Sequence, residues 1–258
     1  MLPVLKKIPE VTLLFWVMKI CATTLGETAG DLLAQTMNVG YGASSLILLG
    51  IFLVLLLAQL AVNRYLPALY WAVILATSTA GTTLSDYMDR TLGLGYATGS
   101  ALLVALLLVI LGLWRASEHS LSVSNVTTRR GELFYWTAIL VSNTLGTALG
   151  DYLADDSGLG FGGGALLIGS LLAVVVLAHY FTRLSGVLLF WVAFVLTRPF
   201  GATFGDLLTK PTAEQGLGFG TQGSSLILFL VLAGLVVYST IKNNRLPGAV
   251  ANEKRPND

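Results

Sequence analysis

Four aspartates, Asp31, Asp86, Asp151 and Asp206, close four apolar stretches of the chain, and steps of four residues back from each trace a ladder of polar side chains. The ladders read Lys19, Thr23, Glu27, Asp31; Ile74, Ser78, Thr82, Asp86; Ile139, Asn143, Thr147, Asp151; and Phe194, Arg198, Ala202, Asp206. Four-residue steps stay on one face of an α-helix, so each stretch carries a polar face within an apolar segment. Four carboxylates at one depth, with Glu27 as a fifth, repel one another unless protons or cations intervene. Carboxylates and threonine hydroxyls are hard donors that suit magnesium, calcium or manganese better than zinc or copper. The ion-binding residues expected on this ground are Asp31, Asp86, Asp151, Asp206, Glu27, Thr82, Thr147 and Asn143, the four aspartates being the metal ligands. Lys19 and Arg198 are expected to balance charge.

A plainer reading stands beside each of these. The aspartates could cap loops or bond across helices as polar glue, and duplication alone would preserve their spacing. Lys19 could run its ammonium out to a nearby membrane interface. The four polar faces are expected to turn toward one another and line a central polar path; Pro199, beside Arg198, is expected to kink its helix and free a carbonyl near that path, and a purely structural kink explains it equally. Asp89, Asp155, Asp156 and Glu214 could draw cations to the path, or only solvate loops. His119 and His179 fall at the other helix ends, too far off to add nitrogen ligands, and the lone Cys21 excludes a disulfide framework.

The elements that must position these groups repeat four times. Aligned without gaps, the copies are FWVMKICATTLGETAGD (Phe15 to Asp31), YWAVILATSTAGTTLSD (Tyr70 to Asp86), YWTAILVSNTLGTALGD (Tyr135 to Asp151) and FWVAFVLTRPFGATFGD (Phe190 to Asp206). Each is followed by a short polar segment, a glycine-aromatic pair (Gly40-Tyr41, Gly95-Tyr96, Gly160-Phe161, Gly218-Phe219) and a second apolar stretch. The unit is therefore helix, loop, helix, and the spacing of the aspartates, 55, 65 and 55 positions, groups the units two and two.

With 55% hydrophobic and 11% charged residues, against about a quarter charged in a soluble domain, the chain cannot cover a water-facing surface. Blocks such as Ala43 to Val62 approach the ~20 residues that span a bilayer. The expected fold is all-α: a polytopic membrane protein of eight transmembrane helices, four tandem two-helix repeats forming two pseudo-symmetric halves. It is one domain over residues 1–258, with repeats at 11–64, 66–116, 131–183 and 186–242, a polar linker at 115–131 and a tail at 243–258.

Lys6, Lys7, Arg64, Arg115, Arg129, Arg130, Arg183, Lys242, Arg245, Lys254 and Arg255 lie at the termini and between units, against Arg90 and Lys210 inside them. By the positive-inside rule both termini are cytoplasmic, and the basic-apolar start is retained rather than cleaved. Trp16, Trp71, Trp114, Trp136 and Trp191 are expected as headgroup anchors at the cytoplasmic helix ends. The aspartates, about 24 Å further along a core about 30 Å thick, would sit in its outer part without needing full burial. Small pairs one turn apart (Gly26 and Gly30, Gly81 and Ser85, Gly146 and Gly150, Gly201 and Gly205) should let the first helix of a unit meet a second helix closely.

The aromatic-Trp pair, the ladder, the glycine five residues before each aspartate and the following glycine-aromatic pair together resemble a bacterial family of uncharacterised membrane-anchored proteins built from a membrane repeat of unknown function. The resemblance covers nearly the whole chain except its carboxyl tail. The first copy, with Lys19, Thr24, Gly26, Glu27, Gly30 and Asp31, is nearest the family pattern, and the fourth departs from it at Arg198 and Pro199. The resemblance implies a bacterial inner membrane and no activity.

The functional expectation is a transporter or permease for a small cation, divalent in the manner of manganese, magnesium or calcium, with the lipid bilayer and the ion as partners. No nucleic acid partner, enzymatic step or cofactor other than a bound cation is expected. A structural or assembly protein is the alternative. An intramembrane hydrolase is a lesser one, because a four-fold aspartate set is not the asymmetric pair that such chemistry uses.

Overall fold

A computed structural model describes residues 7–123, 126 and 128–252. Among them the secondary structure is helical, without strands: α1 (Leu13–Asp31), α2 (Tyr41–Ala61), α3 (Pro67–Asp86), α4 (Tyr96–Glu118), α5 (Arg129–Asp151), α6 (Gly160–Phe181), α7 (Gly186–Thr209) and α8 (Thr221–Asn252). The hydroxyls of Thr12 and Thr128 cap α1 and α5 by accepting from the Phe15 and Gly131 amides, and Pro67 opens α3, where its missing N–H costs nothing. The helix α8 continues well into the segment expected as a tail. Lys6, Lys254 and Arg255, counted above as terminal charges, lie outside the described residues.

After each of Asp31, Asp86 and Asp151 the helix widens into one π-helical turn (Leu32–Thr36, Tyr87–Thr91, Tyr152–Asp156), whereas α7 ends directly and a short 3-10 turn, Thr212–Glu214, follows. The glycine of each glycine-aromatic pair then takes a positive φ, +80° at Gly40, +72° at Gly95, +67° at Gly160 and +73° at Gly218. A Cβ there would meet its own backbone, which explains why glycine recurs at the point where the chain turns into the second helix.

The helices α1, α3, α5 and α7 form an inner ring, each touching the next and α7 returning to α1. The outer helices each lie on the inner helix of the following unit: α2 on α3, α4 on α5, α6 on α7, and α8 on α1. The small residues expected to bring first and second helices together instead bring the inner helices together. A Cβ on Gly26 would strike Ser78, one on Gly81 would lie 3.0 Å from Asn143, one on Gly146 would strike Arg198, and one on Gly201 would come within 2.6 Å of Thr23. One turn on, Gly30 meets Thr82, Gly150 meets Ala202 and Gly205 meets Glu27. Contacts that advance in the same direction on both partners make the inner helices parallel. Spacing along one helix marks a close approach without naming the partner, which is why the sequence expectation chose the wrong one.

The distribution of polarity is inverted relative to a water-soluble protein. Leu46, Leu53, Val54 and Leu57 on α2, Leu108 and Val109 on α4, Leu166 and Val174 on α6, and Leu226, Ile227 and Leu230 on α8 are exposed, while Lys19, Thr23, Ser78, Asn143 and Arg198 are wholly buried. Soluble monomers do not expose apolar surface on this scale. Five helices, α2, α4, α6, α7 and the Thr221–Asn244 part of α8, are long and apolar enough to cross a membrane. The polarity of α1, α3 and α5 is turned inward.

Candidate functional site

The four ladder faces meet along the axis of the inner ring and stack into layers. Where the inner helices begin, the ring is filled by aromatic side chains. Phe15 packs on Trp71 at 5.6 Å between centroids, Tyr70 on Trp136 at 5.5 Å, Trp114 on Trp191 at 5.7 Å and Trp16 on Phe190 at 5.8 Å. The Tyr70 and Tyr135 hydroxyls share a hydrogen bond of 2.6 Å. Trp71, Trp136 and Trp191 are buried in the plug of the ring, Trp114 is buried beside it on α4, and Trp16 is half-buried, so the four buried tryptophans are not headgroup anchors. The interface preference of tryptophan is outweighed here by the contact area that large rings gain against one another.

One layer in, Lys19 is completely buried and does not reach out to an interface. Its ammonium lies 4.1 Å from the centre of the Phe194 ring and donates to Asn143 Oδ1 at 3.3 Å. The Asn143 amide nitrogen in turn donates to Thr77 Oγ1 at 2.9 Å. Next comes Arg198, also wholly buried, on an α7 that runs unbroken through Pro199. Its guanidinium meets Glu27 Oε2 at 2.9 Å and donates to Thr82 Oγ1 at 2.5 Å and Thr147 Oγ1 at 2.6 Å. Three residues expected to bind an ion, Glu27, Thr82 and Thr147, are thus gathered by the arginine expected to balance their charge.

The aspartates form the last layer and are buried, with 2–4% of each surface exposed; the expectation that they would need no full burial does not hold. They are paired by two cations that the sequence reading left out of the site. Arg90 bridges Asp86, Nε to Oδ1 at 3.0 Å, and Asp151, Nη2 to Oδ2 at 3.2 Å. Lys210 bridges Asp31, Nζ to Oδ2 at 2.9 Å, and Asp206, Nζ to Oδ1 at 3.4 Å. Each cation stands four residues past an aspartate of its own unit, the same step that built the ladders, while the other two units carry Gln35 and Asp155 at that place. Burial opposes the Lys210 ammonium, but the Asp206 and Asp31 carboxylates outweigh it and hold its pKa above the ordinary lysine value. One oxygen each of Glu27, Asp31 and Asp206 lies within 4.8 Å of the others, so these three could share one metal ion, whereas Asp86 and Asp151 are engaged by Arg90.

Of the acidic residues expected in outer loops, Asp89 is buried against α4 and accepts from the Ser85 hydroxyl at 3.3 Å. Asp155 and Glu214 line a surface cavity of about 380 Å³ between the ends of α6 and α7, with Gly158, Gly160, Phe161 and Gln215. His119 and His179 lie away from the column, near the beginnings of the inner helices.

Comparison with known proteins adds a family. A family model described as Repeat of Unknown Function (DUF347) matches four times, over residues 14–65, 69–120, 134–185 and 189–244. The chain belongs to this repeat family. Each matched segment takes in one inner helix, its aspartate and the outer helix that follows. No curated protein and no solved structure matches the chain.

Proposed function

We propose that the chain is a bacterial inner-membrane transporter of a small divalent cation, of the manganese, magnesium or calcium kind, whose path is the column inside α1, α3, α5 and α7. All eight helices cross the membrane in this reading, the units form two pseudo-symmetric halves, and both termini are cytoplasmic. Support for eight spans comes from α1, α3 and α5, whose polar faces are covered by the inner ring and whose outward side is partly covered by the apolar outer helices and otherwise exposes apolar residues such as Leu13, Val17 and Leu133. The orientation is supported by Lys7, Arg64, Arg115, Arg183 and Lys242 at the end of the molecule where the inner helices begin. The two cations at the opposite end, Arg90 and Lys210, are committed to aspartates.

The observation that carries the reading is the unbroken run of buried charged and polar groups, Lys19, Asn143, Arg198, Glu27 and the four aspartates, along one axis. Replacing buried ion pairs by apolar residues is often neutral or stabilising, and intramembrane ionisable groups line ion and proton paths. A bundle that only had to hold together would gain nothing by burying Lys19 without a carboxylate. The aspartates serve as binding or proton-coupling groups, and the plug and the aspartate layer act as the two gates.

One observation favours the structural alternative: each of the five carboxylates has a cationic partner, as in a bundle held by internal ion pairs. Flux of manganese, magnesium and calcium into proteoliposomes decides between them, with the variant in which Asp31, Asp86, Asp151 and Asp206 are all asparagine as reference. Transport by the natural chain that the variant loses supports the reading. Equal flux through the folded variant would discard the aspartate mechanism, and no flux of any of the three ions through the natural chain would leave the structural alternative.

A further inference from the structure

The carboxylates of the column are held by two kinds of cation. Asp86 and Asp151 share the Arg90 guanidinium and Glu27 has that of Arg198; guanidinium is a permanent charge with a fixed fork of donors. Asp31 and Asp206 share Lys210, an ammonium on a flexible stem at the mouth of the column, with 18% of its side chain exposed. Lys210 also donates to Gln35 Oε1 at 3.4 Å, and Asp206 Oδ1, like Asp86 Oδ1 beside Arg90, is buried with an ion-pair partner but no hydrogen bond.

We propose that Glu27, Asp31 and Asp206 form a site for one hard divalent cation, and that the Lys210 ammonium is a tethered stand-in that swings outward when the cation enters. The choice of a cation rests on the transport reading; the site and the exchange are testable without flux. The charges select the valence. Arg198 compensates one of the three carboxylates permanently, so two negative charges remain. The single lysine charge must serve two carboxylates, so that one of them shares its counter-charge or carries a proton; a divalent ion cancels both. The dimensions agree. Oxygens on opposite sides of a calcium ion with bonds of 2.3–2.6 Å stand about 5 Å apart, and the three oxygens already lie within 4.8 Å of one another. Asp86 and Asp151 do not belong to this group of three oxygens, and the cation they share, Arg90, is a permanent charge.

The test uses the full chain purified in detergent. An amine-reactive reagent applied to the natural protein, with labelling of Lys210 read by peptide mass spectrometry, reports whether the ammonium leaves. Labelling is expected to rise several-fold on addition of manganese, magnesium or calcium chloride and not on addition of potassium chloride. Melting temperature titrated against the same salts gives the affinity, since a ligand of the folded state raises its stability. Lys210→Met, freed of the competitor, is expected to bind the divalent ion roughly tenfold more tightly, while Glu27→Gln and Asp206→Asn lose the shift.

Binding to the natural chain with unchanged Lys210 labelling would overturn the stand-in role, a labelling rise with potassium would overturn the valence, and no shift with any of the three ions in the natural chain would overturn the site. Ion binding without flux would sink the transport reading and keep this one. Flux that survives Glu27→Gln and Asp206→Asn would do the reverse.

Discussion

Arg198 shows what a single buried cation does in this molecule. It contacts Glu27 on α1, Thr82 on α3 and Thr147 on α5, so one side chain from α7 ties the other three inner helices together. Breaking a buried pair by removing one partner costs about 3–5 kcal/mol, because the survivor keeps its desolvation penalty. Arg198→Met is therefore expected to lower stability by that amount in detergent melts, and Arg198→Met with Glu27→Gln to recover most of the loss. Equal losses in the single and double variants would show that the arginine contributes volume rather than charge. The Tyr70–Tyr135 pair makes a smaller claim of the same kind. Tyr70→Phe leaves one buried hydroxyl without its partner, at about 1–3 kcal/mol, and a melt unchanged from that of the natural chain would refute it. Much of this layer was legible beforehand, since a polar residue every fourth position has few places to go but inward in an otherwise apolar helix. Arg90 and Lys210 were missed because the polar stretch beyond each aspartate read as loop. After Asp86 the helical path continues through a π turn, and α7 runs on to Thr209, so in both units one further step of four residues carries the ladder past its expected end at the aspartate.

At the scale of helices, the glycines divide into those that face a neighbour and those that do not. Gly81 and Gly146 lie against the backbone or side chain of the next inner helix, whereas Gly50, Gly112 and Gly234 on the outer helices have open space where a Cβ would go. Gly146→Val would have to displace Arg198 and Pro199 and is expected to cost at least about 1–3 kcal/mol. Gly50→Ala is expected to be neutral or to stabilise by up to about 1 kcal/mol, from the helix propensity of alanine. Paired melting curves check both, and destabilisation by Gly50→Ala would show a surface in contact that is open here. That small residues mark close approach was readable from the sequence. Their partner was not, because a repeat offers each glycine several equivalent helices and only the packed ring chooses among them. Tryptophan failed for a related reason: a rule about lipid interfaces was applied to rings that had neighbours of their own.

For the molecule as a whole, the helix count, the two-helix unit and the inward turn of the polar faces follow from the sequence pattern, while the way the units interlock does not. Each outer helix covers the inner helix of the following unit, so α4 covers α5 across the connection between the second and third units, and α8 covers α1 across the whole chain. Cutting the chain in the connection between α4 and α5 separates α5 from its cover and opens the ring on two sides. Fragments 1–124 and 125–258, expressed singly, are expected to be degraded, and co-expressed to co-purify as one complex that melts cooperatively. A stable, monodisperse half by itself would contradict the interlocking.

The same overlap makes each unit depend on the others. A lone two-helix unit would present an inner helix with nothing upon it and an outer helix with nothing beneath it. Four separate copies satisfy both needs at once by passing each outer helix to a neighbour around the circle. A single unit of this kind standing alone would therefore need three more copies to close the ring. Joined in one chain, the four units are free to differ, and Lys19 in the first, Arg90 in the second and Arg198 in the fourth each stand where four identical charges would repel one another across the ring.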